Sequence, residues 1–200
     1  FENQQEVVQN EKRQRVDNRP YGHSNYVMIK NMYPKDHPYN WTTIGELEDL
    51  QNSTLKDVRD FYENWYGPNN ATMVIAGDIN KKEVKKLVDK YFAEIKPGPD
   101  HGNPEPRPVQ LSETKKVFHE DNFARSPRLT MAFPTVDQLH FDAPALELLA
   151  QLLGDGKKAP LYKVIVEEKK LAPSLFSYSG TQEMAGTFNV VVTGFPTTNL

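Results

Sequence analysis

Gln5-Glu6-Val7-Val8-Gln9-Asn10-Glu11-Lys12-Arg13-Gln14-Arg15, followed by Asp17-Asn18-Arg19-Pro20-Tyr21-Gly22, heads the chain. Val7, Val8 and Val16 are the only apolar anchors of residues 2–17, which read as a polar helix in need of a partner surface. Glu11 falls on one face of that helix, and Pro20 with Gly22 marks a turn after it. Residues 18–45 are rich in Asn, Pro, Gly and Tyr and read as irregular or short helical segments.

Further along, the periodicity strengthens. Leu55, Val58, Phe61, Tyr62 and Trp65 recur at three- and four-residue spacing, Thr54 with Asp57 predicts an N-terminal cap, and Gly67-Pro68 predicts the stop. Ala71-Thr72-Met73-Val74-Ile75-Ala76-Gly77-Asp78 is a short apolar run ending in turn residues and predicts a buried strand. Asn80 and Glu83 form a capping-box pattern ahead of a helix that gathers Val84, Leu87, Val88, Tyr91, Phe92 and Ile95. Between Lys96 and Gln110 stand Pro97, Pro99, Pro104, Pro106 and Pro108. Proline lacks the backbone donor and disfavours helix in the residue before it, so 96–110 reads as a linker and a domain boundary.

After it the pattern restarts. Lys116–Glu120 and Arg128–Phe133 predict strands, Asp142–Leu153 a helix stopped by Gly154, and Leu161–Lys170 a second helix. Leu175–Thr181 and Thr187–Thr193 predict a hairpin around Ala185-Gly186. The chain opens inside an apparent helix and stops at Leu200 without a clear terminator, so both units are expected to be partial.

A chain of 200 residues can bury one good core or two smaller ones. Charged residues at 26% and hydrophobic residues at 38% are ordinary for a globular protein. A net charge of −3 gives no general attraction to nucleic acid, and no apolar run reaches the length of a membrane span. With no cysteine there is no disulfide, thiolate nucleophile or Cys-based zinc site. That absence suits the periplasm or the cytosol equally.

Zinc-dependent hydrolysis needs three protein ligands, an open position for water and a general base. The histidines are His23, His37, His101, His119 and His140, and none stands in an H-E-x-x-H or H-x-x-E-H arrangement. They are expected to be surface or loop residues. No Gly-x-Ser-x-Gly elbow supports a serine hydrolase. Gly154-Asp155-Gly156-Lys157-Lys158 lacks the spacing of a phosphate loop and reads as a turn between helices. From composition and spacing alone, Glu6 and Glu11 are solvent-facing helix carboxylates.

Four pieces in fixed order give the chain a resemblance to the M16 (insulinase/pitrilysin-like) zinc metallopeptidases. They are the helix from Glu6 to Arg13; His37-Pro38-Tyr39 with Ile44-Gly45; the run from Leu55 to Ala71 continuing into Val74-Ile75-Ala76-Gly77-Asp78; and Leu148 to Gly154 followed by Pro160-Leu161-Tyr162 and Glu167 to Ala172. The resemblance implies an α+β fold of M16-type (LuxS/MPP-like) units, each a mostly antiparallel sheet covered by helices on one side. It implies two partial units: residues 1–95, the C-terminal part of a first unit; the Pro-rich linker 96–110; and residues 111–200, the N-terminal part of a second, non-catalytic unit. In the long members of the family, with four units in one chain, these would be the end of unit one and most of unit two.

The resemblance also implies chemistry. M16 enzymes take two zinc ligands and the base from an H-x-x-E-H helix, and the third ligand from a Glu on a later helix, which matches Glu11. The base is therefore expected upstream of residue 1, and Zn2+ is expected in the full-length protein. An acidic residue often stands seven positions earlier, where this chain has Gln4. In the partner half, many members carry an Arg and, seven residues on, a Tyr within R-E-E-K-G-L-A-Y. The matching stretch runs from Val166 to Pro173, and neither Val166 nor Pro173 can donate a side-chain hydrogen bond. The implied function is a zinc endopeptidase acting on peptides or small proteins, with the remaining M16 units of the same chain as partners and no nucleic acid or membrane span. The alternative is a non-catalytic M16-related scaffold, peptide-binding module or assembly subunit. The fragment alone is expected to be inactive, and a periplasmic or secreted bacterial location is favoured over a cytoplasmic one.

Overall fold

A computed structural model describes all residues 1–200. In chain order the helices are α1 (Glu2–Lys12), α2 (Ser24–Met32), α3 (Leu47–Asn52), α4 (Leu55–Trp65), α5 (Lys81–Phe92), α6 (Ala143–Gly154) and the short α7 (Pro160–Tyr162). The strands are β1 (Arg128–Thr135), β2 (Ser174–Thr181) and β3 (Gly186–Thr193). The residues form two compact units: Phe1–Gln5 with Glu46–Asn103, and Glu6–Gly45 with Pro104–Leu200. The crossing at Asn103–Pro104 lies in the proline-rich segment, and residues 6–45 pack with the later half of the chain.

The first unit is helical. Thr54 caps α4 in the expected reciprocal way: its hydroxyl accepts from the Asp57 N–H at 3.3 Å, and its own N–H donates to the Asp57 carboxylate at 2.7 Å. At α5, Asn80 accepts from the Lys82 N–H at 2.9 Å instead of forming a box with Glu83. The predicted strand Ala71–Asp78 is absent. Its residues pair with no neighbouring strand, and Val74 is 83% exposed. A strand is stabilised by a neighbour's hydrogen bonds, and every strand of this chain lies in the second unit, so the apolar run has no ladder to join.

The second unit is built on a three-stranded antiparallel sheet with order β1-β3-β2. The predicted hairpin is present, with Ser174 opposite Thr193 and Thr181 opposite Gly186. Side chains alternate between the faces of a strand. On one face Leu175, Phe188, Val190 and Val192 meet Ala150 of α6, with Leu146, Leu153, Leu161 and Ile165 packed around them. Gly154 ends α6 where a Cβ would stand 2.2 Å from the Ser177 hydroxyl, so only glycine permits this approach of helix to strand. The opposite face is partly covered from residues 18–45: Ile29, Met32 and Tyr33 form a second cluster with Ala185, and Ala132 packs against it.

Several predicted elements are remodelled. Lys116–Glu120 is not a strand, and Phe118 is 94% exposed. The predicted helices over 2–17 and 161–170 each open into a wider π-helical stretch, Arg13–Asp17 and Lys163–Glu168. The long coil before β1 is pinned by one carboxylate. Asp121 accepts from the backbone N–H groups of Tyr21 at 2.6 Å, Phe123 at 2.8 Å and Ala124 at 2.9 Å. These bonds, that of Phe123 foremost, hold its carboxyl below the usual carboxylate range. Because the folded value is depressed, the contribution is complete above the ordinary value of about 3.9 and is lost as pH falls through the lower folded value. Amide shifts of Phe123 and Ala124 followed by NMR will therefore move at a pH below that ordinary value, and in Asp121→Asn this acid transition will be missing.

Candidate functional site

Glu11 lies in the last turn of α1, half-buried, and accepts a 2.8 Å ion pair from Arg15 one turn later. The pair is partly solvent-exposed and holds the carboxylate only loosely. Directly beyond it the helix widens, with the Asn18 N–H bonded to the Arg13 carbonyl at 2.8 Å. Such π turns often accompany functional positions, and nothing in the polar sequence of 13–17 announces one. Gln4 is exposed on the same helix. No group of three or more His, Cys, Asp or Glu side chains is arranged to hold a metal. One carboxylate does not make a zinc site, since zinc takes three or four protein ligands. The residues present therefore do not fit a resident metal on their own.

His37 lies in a loop, as expected, but is fully buried there. Its ring stacks on Tyr33 with centroids 4.6 Å apart and lies 5.2 Å from that of Tyr39. Nδ1 accepts from the Tyr39 N–H at 3.0 Å, while Nε2 lies 2.9 Å from the Arg107 carbonyl. A carbonyl only accepts, so the proton is on Nε2 and the ring is neutral in this arrangement. Asn40 closes the same knot by donating to the Tyr33 carbonyl at 2.6 Å. Burial raises the Tyr33 hydroxyl above its usual range, and Tyr39 adds to the effect. The nearby Asp36 carboxyl is lowered, chiefly by its hydrogen bond from Arg107. The signal in the sequence was His37-Pro38-Tyr39 itself: proline fixes the turn that brings the next N–H onto the imidazole.

The other four histidines are not gathered into one site. His23 lies 3.2 Å from Asp17 and edge-on to His119 at 5.6 Å. His101 stacks on Trp65 at 3.8 Å and reaches the Asn64 carbonyl at 2.7 Å. His140 accepts from the Asp142 N–H at 3.1 Å ahead of α6.

Val166 belongs to the π-helical stretch after α7 and packs against the core under the sheet, and Pro173 is exposed immediately before β2. Between them Lys170 adopts φ +50°, with the Leu171 N–H bonded to the Ile165 carbonyl at 2.9 Å. This left-handed closure is the conformation glycine favours. Glycine stands there in the R-E-E-K-G-L-A-Y pattern, whereas here a lysine takes the left-handed conformation.

Two substitutions follow from this geometry. Lys170→Gly should raise unfolding stability by about 1 kcal/mol in urea titration, through relief of left-handed strain. His37→Leu should lower it by about 2–4 kcal/mol, because the Tyr39 N–H and the Arg107 carbonyl would each lose a buried partner.

Residues 52–199 match the family model described as the peptidase M16 inactive domain. The zinc protease PqqE of Helicobacter pylori is 33% identical over 196 residues, covering 96% of this chain and 44% of that protein. A crystal structure of a protease from Helicobacter pylori aligns at a TM-score of 0.76 and 30% identity, over 97% of this chain and 47% of that one. The periplasmic protease PqqL of Escherichia coli aligns at 0.63 and 18% identity over 96% of this chain and 22% of that one, a likeness of fold alone. The chain thus spans less than half the length of these relatives. With the match over 52–199 joined to an antiparallel sheet backed by helices, the chain belongs to the M16 peptidase family.

Proposed function

We propose that the chain is part of an M16-type zinc-dependent endopeptidase that hydrolyses peptide bonds of peptides or small proteins. The observation that carries this reading is Glu11, a half-buried carboxylate at the end of α1 whose only ion pair is one exposed arginine. It stands at the third-ligand position of the family pattern. In this reading zinc supplies the activated water, and an H-x-x-E-H helix outside residues 1–200 supplies two ligands and the base. The chain's own part is to present Glu11 and, through the second unit, to enclose substrate. The family units proposed along the sequence are 1–95 and 111–200 joined by 96–110, a division distinct from the two compact units of the fold, with the remaining M16 units of the same polypeptide as partners. A periplasmic or secreted location is part of this reading, and no helix here is long and apolar enough to cross a membrane.

A second reading is favoured by a specific observation. Val166 and Pro173 fall inside the segment matching the inactive domain, and neither can hold a substrate carbonyl. A non-catalytic M16 scaffold or peptide-binding module would need neither donor. Zinc occupancy separates the two. The 200-residue chain alone should retain no stoichiometric zinc after dialysis and cleave no peptide. In a polypeptide joining it to an H-x-x-E-H helix, Glu11→Gln should lower zinc affinity by about tenfold or more and peptidase activity with it. Zinc held equally by wild type and Glu11→Gln would remove Glu11 from the metal, and no zinc in either would favour the scaffold.

A further inference from the structure

The second unit holds a cleft of about 520 Å3 between α2, β1 and the coil leading into β1. That volume is in the range of small-ligand sites. Its floor is apolar, with Met28 and Met32 of α2 and Ala132 of β1, and its rim carries Lys115, Arg125 and Arg128.

The charges at this rim are unbalanced. Asp121 is the one carboxylate lining the cleft, and its oxygens are occupied by the three backbone N–H groups described above. Arg128 is positioned rather than free to swing. Its guanidinium lies 3.5 Å above the Tyr21 ring, and its Nε donates to the Thr193 hydroxyl at 3.1 Å. Neither of its terminal nitrogens meets a protein acceptor. Tyr21 is itself fixed in an uncommon backbone conformation, φ +59°, by its N–H bond to Asp121 and its hydroxyl bond to the Ser126 carbonyl at 2.9 Å. Non-glycine residues held at positive φ by several contacts are often found at ligand sites. Lys115 is tied to the Asn31 carbonyl at 2.8 Å, which keeps its ammonium on the rim, and Arg125 makes no hydrogen bond or ion pair.

A guanidinium already stacked and oriented loses little freedom on meeting a planar carboxylate, and the pairing can be bidentate. From this juxtaposition of a held arginine fork, two further cations and an apolar floor, we infer that the cleft binds a carboxylate attached to an aliphatic group. Two sources share that chemistry: the free C-terminus of a peptide ending in an apolar residue, and a small aliphatic carboxylic acid. The inference does not depend on Glu11 or on zinc.

The test uses the 200-residue chain with labelled methionine methyl groups and three probes: N-acetyl-leucine, N-acetyl-leucinamide and 4-methylpentanoate. N-acetyl-leucine should shift Met28 and Met32 while leaving Met73 of the first unit in place, with a dissociation constant on the order of 1 mM. N-acetyl-leucinamide should not bind. Arg128→Gln should weaken binding by about tenfold, and Arg125→Gln, which removes a charge without disturbing the Tyr21 stack, by about threefold. If 4-methylpentanoate binds as well as N-acetyl-leucine, the ligand is a free carboxylic acid; if it binds more weakly, the ligand is a peptide C-terminus. The inference is overturned if no carboxylate shifts Met28 and Met32, if the amide binds as well as the acid, or if both arginine variants bind like the wild type. Should Arg128→Gln fail to fold, unchanged binding in Arg125→Gln alone overturns it.

Discussion

β3 is the element on which the second unit depends. It is hydrogen-bonded on both sides, to β1 and β2, and every residue from Gly186 to Val192 is buried. Its alternation assigns two jobs to one strand. Phe188, Val190 and Val192 anchor the helical layer of α6, while Thr187 and Asn189 face the side reached by residues 18–45. Asn189 is fully buried there and donates to the Thr187 hydroxyl at 2.8 Å, while its amide oxygen has no partner. A one-residue slip would exchange these faces and put the amide into the apolar layer, so the pairing register is strongly specified.

The segment 18–45 then ties the head of the chain to that sheet. Ile29, Met32 and Tyr33 supply its apolar contact, the His37 knot fixes its turn, and the Tyr21–Asp121 bond holds its start. The candidate zinc carboxylate and the carboxylate-binding cleft are therefore borne by the same unit, one near the end of α1 and the other beside α2 and β1.

Much of the architecture was readable where local and tertiary forces agree. The α4 cap, the apolar spacing of α6 and the 174–193 hairpin follow from hydrogen-bond chemistry and periodicity acting over a few residues. Ala71–Asp78 misled because strand propensity describes fitness for a ladder, and here no strand lies beside it. The π-helical stretches escaped because an inserted residue leaves no compositional mark. The site was less legible than the fold. Glu11 stood out only through family likeness, since its spacing alone matches any solvated helix carboxylate. His37 had a visible turn beside it, but its burial depends on Arg107, seventy residues away. The cleft arises from groups brought together from positions 21 to 196 and had no local signature at all.

The wide turn at Arg13–Asp17 bears on how this part of the molecule can change over time. One added residue in a helix rotates everything downstream by about 100° and advances it by about 1.5 Å. Glu11 lies before that offset and Tyr21 after it. The aim of the acidic group and the anchorage of the loop are thus geometrically uncoupled, and mutation could retune either without carrying the other along.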